Sequence, residues 1–127
     1  MTTKDSAPTV NAYICVHDAA AAIEFYTNAF GATEVGPRIT DAKGRVSHAQ
    51  ITLGESTVML ADEHPEKGFV GPRTLGGTPV LFMLNVPDVD ARVGRAVAAG
   101  GRLTRPVADQ FYGDRTGEIT DPFAKKP

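Results

Sequence analysis

The sequence predicts an α+β fold: two tandem βαβββ modules whose curved mixed sheets surround a cleft. Three observations predict it. Several stretches alternate apolar and polar residues with period two, two helical stretches each open on aspartate and stop at glycine, and one half of the chain lays over the other at a fixed shift. The modules are expected at residues 9–63 and 80–127, joined by a connector over 64–79, and together they form one domain of 127 residues.

Residues 1–8 are polar and end in proline, a loose lead-in. Residues 10–16 (VNAYICV) place Val10, Ala12, Ile14 and Val16 on one side and Asn11, Tyr13 and Cys15 on the other, a strand with two unlike faces. Asp18 is a good N-cap for a helix over 19–30, where Ala22, Ile23, Tyr26, Ala29 and Phe30 recur at helical spacing and Gly31 supplies the stop. Residues 33–40, broken by Gly36-Pro37, suit an edge strand. A turn at 41–44 leads into a strand at 45–53, with Ile51 and Leu53 opposite His48, Gln50 and Thr52. Gly54-Glu55 turns the chain into a strand at 57–62. No periodicity survives in 63–79, where proline and glycine cluster. The pattern then restarts with a strand over 80–86 (VLFMLNV), and Pro87-Asp88 opens a helix from about Val89 to Ala99, stopped by Gly100-Gly101. Extended stretches at 102–112 and 115–120 follow.

At a shift of 70, Val16-His17-Asp18 falls on Val86-Pro87-Asp88, Ala29 on Ala99 and Gly31 on Gly101; at a shift of 73, Gly44 falls on Gly117 and Val46 on Ile119. The order of elements matches as well as the letters, so each half copies one supersecondary unit. A sheet covered by one helix leaves its other face free, and two such faces can curve around a cleft. Asn11, Tyr13 and Cys15 would line it from one half, and Leu81, Met83 and Asn85 from the other.

Composition narrows the function. Lys and Arg number 13 against 15 Asp and Glu, a formal charge of −2, with no basic cluster for a phosphate backbone, so nucleic acid is not an expected partner. No apolar run approaches the ~20 residues of a membrane span. The first residues lack the layout of a secretory signal, and the single Cys15 excludes an internal disulfide and a cysteine-rich zinc site. A cytoplasmic protein acting on a small molecule remains.

Four stretches, VHDAAAAIEFYTNAFGA, HAQITLGESTVMLAD, LGGTPVLFMLNVPDVDARVGRAVAAGG and VADQFYGDRTGEITDPF, cover most of residues 10–123, and with them the chain resembles the vicinal oxygen chelate superfamily of glyoxalase I, bleomycin-resistance proteins and extradiol dioxygenases. The run from Gln110 to Arg115 followed by Asp121-Pro122-Phe123 is similar to a glyoxalase-like bacterial subgroup, nearest the metal-free bleomycin-resistance type.

For metal-dependent members the resemblance implies His, Glu or Gln at four cleft-facing points. Asn11, Leu60 and Leu81 fall on three of them, and the fourth falls on a strand beyond residue 127. Leucine cannot coordinate an ion, and sliding the match brings in Tyr13, Met59, Ala61, Phe82 or Met83 instead of a ligand set. His48 and Gln50 share a face and could supply two ligands, but no third is visible. Neither metal nor cofactor is expected, and no catalytic residue is assigned.

Of the other groups, His17 reads as a solvated surface residue, His64 as a loop residue without a role, and His48 as a cleft hydrogen-bonder, a general base or a polar residue on an open strand face. Cys15 has no basic partner beside it in sequence, Arg115 next to Asp114 reads as a turn-fixing ion pair, and Gly76-Gly77 lacks the Lys-Ser/Thr of a phosphate loop.

The resemblance implies a protein that sequesters a hydrophobic or flat aromatic natural product, such as an antibiotic, and so confers resistance. Tyr13, Leu60, Leu81, Met83, Phe111 and Tyr112 would supply apolar and stacking area, and Asn11, His48, Gln50 and Asn85 would orient polar atoms. The alternative is a glyoxalase-like metal-dependent lyase, isomerase or dioxygenase, or a metal-free catalyst with His48 as base. By the repeat, the last strand of the second module would fall at about 130–136. The second module is therefore expected to lack it, leaving an edge for a second copy to cover in a homodimer.

Overall fold

A computed structural model describes residues 7–123. Most of the lead-in and the polar residues 124–127 lie outside the described residues. The first half contains β1 (Ala12–Val16), α1 (Ala19–Phe30), β2 (Thr33–Glu34), β3 (Ile39–Thr40), β4 (Val46–Leu53) and β5 (Ser56–Asp62). After a connector carrying a 3-10 turn (Pro65–Lys67) and the one-turn α2 (Pro72–Leu75), the second half contains α3 (Val89–Ala98), β6 (Arg102–Asp109) and β7 (Arg115–Thr120). The chain is α+β, as the sequence predicts.

The first half is a five-stranded sheet in the order β1-β5-β4-β2, with β3 pairing the other end of β4. β2 lies on Thr52 and Ile51 while β3 lies on His48 and Val46, so the stretch containing Gly36-Pro37 is one interrupted edge. β1 runs parallel to β5, with Tyr13 beside Met59 and Ile14 beside Leu60. β4 runs antiparallel to β5, with Ala49 opposite Leu60 and Gln50 opposite Met59. These registers sort the side chains: Ile14, Leu60, Ala49 and Ile51 face the helix, and Tyr13, Met59, His48 and Gln50 face away from it.

Helix α1 buries Ala19, Ala22, Ile23, Phe25, Tyr26 and Ala29 on that sheet, and Ile51 and Leu60 are fully enclosed beneath it. Asp62 ties the two layers together, its carboxylate accepting from Ala19 N at 2.7 Å and Val46 N at 2.6 Å. The connector lies over the end of β1, where Gly71 packs against the Cys15 carbonyl.

The second half builds less. α3 is capped by Asp88 in the same way that Asp18 caps α1, each carboxylate accepting the amide three residues on at 3.1 Å. β6 and β7 form a separate two-stranded sheet. The halves meet helix to helix: Ala96 and Phe123 join the core around Phe25 and Tyr26, and Tyr26 donates its phenol proton to Asp121 at 3.1 Å.

Residues 80–86 depart from expectation. They pair with no strand among the described residues, and Val80, Leu81, Phe82, Met83 and Leu84 are all exposed. The repeat explains why. Their counterpart β1 is a strand because β5 lies beside it, and no strand lies beside 80–86 among the described residues. β-Propensity without a partner makes no ladder.

Candidate functional site

The face of the first sheet that turns away from α1 is the best-formed candidate site. Tyr13 stands at its centre. Its ring lies edge-on to Phe69 at 6.1 Å between centroids and is tilted against His48 at 5.6 Å. Its hydroxyl is 3.0 Å from His48 Nδ1 and 3.2 Å from the Ser47 carbonyl. A carbonyl only accepts, so one phenolic proton satisfies both contacts in one arrangement: His48 Nδ1–H donates to the phenol, and the phenol donates to Ser47 O. That tautomer leaves His48 Nε2 as a free acceptor, beside Gln50 on the same face.

Phe69 reaches Tyr13 because the connector is folded back tightly. Pro65 opens the 3-10 turn, Gly68 closes it with φ 73°, and the amides of His64 and Phe69 each donate to the other's carbonyl. His64 anchors this loop. It is buried, and its Nδ1 lies 2.8 Å from the Asp62 carbonyl, so Nδ1–H is the donor there; Nε2 makes no hydrogen bond and lies 3.7 Å from Asp41 Oδ2. Beside it, Arg45 bridges Asp41 and Glu66, and its hydrogen bonds pull the Glu66 carboxyl down to about 2. Tyr13, Ser47, Ala61, His64, Lys67 and Phe69 line a shallow, open hollow of about 340 Å³.

Chemically the face offers apolar and aromatic area with a few polar atoms. Burial pushes the Tyr13 phenol up, so it stays protonated at neutral pH. Burial, with Glu63 and Asp62 nearby, raises the Cys15 thiol to about 11, which keeps it from being a thiolate nucleophile. A larger surface groove along α1, lined by Glu24, Asn28, Glu34 and Arg38 among others, has no comparable aromatic wall. Among the described residues no group of three His, Cys, Asp or Glu could hold a metal ion. His48 and Gln50 have no third His, Cys, Asp or Glu grouped with them among the described residues.

The structure brings together Tyr13, His48 and Gln50 as the alternation predicts. It moves Leu60 to the opposite side: the residue is fully buried against α1, and Met59 takes the open-face position. Period two decides this, since a one-residue error in strand register turns a lining residue into a core one. Asn11 is exposed just before β1. Leu81, Met83 and Asn85 are exposed on the unpaired stretch and are not packed against Tyr13. Phe111 and Tyr112 stack edge-on with each other at 5.1 Å on the β6–β7 turn, where Phe111 is fully exposed.

Three side chains read otherwise in the sequence. His17 is half-buried against Phe123 at 5.2 Å instead of solvated, and His64 is a buried anchor instead of a loop residue without a role. Arg115 reaches Asp90 at 2.9 Å and Asp109 at 3.2 Å, not Asp114, tying the hairpin to α3. The sequence reading also missed Phe69 and Met59. Met59 could be found by carrying the alternation of 57–62 through, but nothing in an aperiodic loop announces Phe69.

A family model described as the Glyoxalase/Bleomycin resistance protein/Dioxygenase superfamily matches residues 8–124. The chain belongs to that superfamily. An uncharacterised protein of Mycobacterium bovis is 42% identical over 119 residues, covering 91% of this chain and 78% of its own length. The crystal structure of an Arabidopsis thaliana gene product has a TM-score of 0.74 at 26% identity, covering 94% of this chain and 95% of that one. A glyoxalase I mutant from Zea mays shares the fold, with a TM-score of 0.71 at 21% identity over 91% of this chain and 42% of that one. Among the described residues no helix is long and apolar enough to cross a membrane.

Proposed function

We propose that this superfamily member is a cytoplasmic, metal-free binding protein that holds a flat, largely apolar small molecule, such as an aromatic antibiotic, without transforming it. The observation that carries this reading is the open sheet face, where Tyr13 and Phe69 line the hollow and Met59, His48 and Gln50 share the face with Tyr13. An aromatic ring laid on Tyr13 would gain apolar burial at ~25 cal/mol/Å² plus about 0.5–1.5 kcal/mol of ring-ring interaction. His48 Nε2 would accept from a hydroxyl or amide of the guest. Held in this way, the guest is withdrawn from its target by mass action.

Titration of the purified protein with a panel of polycyclic antibiotics, bleomycin included, tests this. A guest should raise the melting temperature in proportion to its affinity and be recovered chemically unchanged. Tyr13→Ala should weaken binding about tenfold, in line with about 1.4 kcal/mol of lost stacking and burial. Conversion of the guest, or binding that requires an added divalent ion, would move the protein to the catalytic side of its superfamily.

A further inference from the structure

Among the described residues His64 is the one buried polar side chain, 7% exposed, and its ring is only half satisfied. Nδ1 meets the Asp62 carbonyl at 2.8 Å, and because a carbonyl only accepts, the first ring proton belongs on Nδ1. Nε2 is then a bare lone pair, sealed from water and facing Asp41 Oδ2 at 3.7 Å. Two acceptors face each other there, an arrangement that one further proton turns into a charge-assisted hydrogen bond. Asp41 can take it. Oδ1 is committed to the amides of Lys43 and Arg45, but Oδ2 accepts only Arg45 Nε and keeps a second lone pair.

That bond would hold the wall of the hollow. The His64 main chain closes the 64–69 loop: its N–H donates to the Phe69 carbonyl at 2.8 Å, and its carbonyl accepts from Lys67 N at 2.9 Å and Phe69 N at 3.2 Å. Phe69 in turn stands edge-on to Tyr13. The surrounding charges favour the extra proton. Asp41 and Arg45 approach from the 41–45 turn, Asp62 from the end of β5, and Glu66 and Lys67 from the loop itself, while the Tyr13 phenol on β1 is kept protonated by burial. Three carboxylates stand against two cations, so the neutral imidazole sits in locally negative surroundings.

We propose that His64 is a proton-operated latch on the hollow: a second ring proton binds Nε2 to Asp41 and fixes the 64–69 loop, with Phe69, against the 41–45 turn. Closing the 3.7 Å gap to the ~2.8 Å of a charge-assisted bond takes a small shift of the ring and the carboxylate. Histidine changes charge between about pH 5 and 8; the proton is held on the acid side of that range and lost as pH rises. The loop is therefore tighter on the acid side. The latch stands apart from the guest-binding reading, because it concerns the wall of the hollow and not what fills it.

Hydrogen exchange of the loop amides and nitrogen NMR of the histidine rings test it on the full chain. From about pH 8 to about pH 5.5 the protection factors of the Lys67 and Phe69 amides should rise about tenfold, the scale of one hydrogen bond between charged groups. Over the same interval His64 Nε2 should pass from a bare to a proton-bearing nitrogen, with Nδ1 protonated throughout. His64→Gln, which takes up no proton, should show no rise. His48→Gln, which removes the other imidazole of this face, should keep it. The ring signals of the unsubstituted protein decide the matter even where His64→Gln fails to fold. A proton on Nε2 at the alkaline end, or a bare Nε2 at the acid end, overturns the proposal. So does protonation without a gain in amide protection, or a rise that survives His64→Gln or vanishes in His48→Gln.

Discussion

The two halves of this chain follow one plan and reach different ends. Each has an aspartate-capped helix, a glycine after it and a hairpin, yet the first half encloses Ile51 and Leu60 completely while the second leaves residues 80–86 in water. The difference lies in one strand. β5 sits between β1 and β4, and it converts an alternating stretch into a buried layer; 80–86 has equal apolar content and no such neighbour among the described residues. Burial belongs to the pairing and not to the residue list.

The strongest way to break that contrast is to truncate matched apolar residues. Leu60→Ala should cost about 2–5 kcal/mol by urea denaturation, through lost burial and the cavity left under α1. Met83→Ala should stay within about 0.5 kcal/mol in dilute, monomeric protein. A Met83 cost approaching that of Leu60 would mean that the segment is covered at those concentrations.

The glycines that the repeat superimposes sharpen the comparison, because they serve different needs. Gly31 has φ 71°, and a Cβ there would make only an ordinary contact with Arg92 Nη1 at 3.7 Å, so it ends α1 by backbone conformation. Gly101 is needed for room: a Cβ there would lie 2.8 Å from Ile119 Cγ2 and 3.0 Å from the Ala96 carbonyl. Gly101→Ala should cost about 1–3 kcal/mol by overpacking, and Gly31→Ala about 1 kcal/mol by left-handed strain. Thermal melts of the two variants should therefore rank in that order.

The capping aspartates should behave alike. Asp18→Ala and Asp88→Ala each remove one carboxylate contact to a first-turn amide and should each cost about 1 kcal/mol. Unequal losses would show that the two helices depend differently on what they pack against.

Acid titration gives the smallest effect. Arg45 holds the Glu66 carboxyl at about 2 in the first half, and Arg115 lowers that of Asp90 in the second. A carboxyl depressed on folding stabilises above its unfolded value, ~4.3 for glutamate, and that contribution fades as pH falls toward the folded value. The urea midpoint should thus decline slightly between about pH 4.5 and pH 2, and Glu66→Gln should flatten part of that decline. Both pairs are solvent-exposed, so the change should be modest and should shrink with added salt.

The alternation around Tyr13, His48 and Gln50, the aspartate caps, the glycine stops and the repeat are local features, set by φ/ψ preference and by the period of side chains along a strand or helix. The amino-acid sequence alone determined those, and with them the α+β class and the face on which Tyr13, His48 and Gln50 stand. Which apolar residues are enclosed was decided only in three dimensions. Leu60 went to the core and Met59 to the open face through the registry of β5 between its neighbours, Phe69 reached Tyr13 through a loop closure that no periodicity marks, and Arg115 chose Asp90 on another element over the adjacent Asp114. Contacts between distant segments depend on which edges and faces meet, and 80–86 shows that where no edge is offered, a strand-forming sequence stays unpaired.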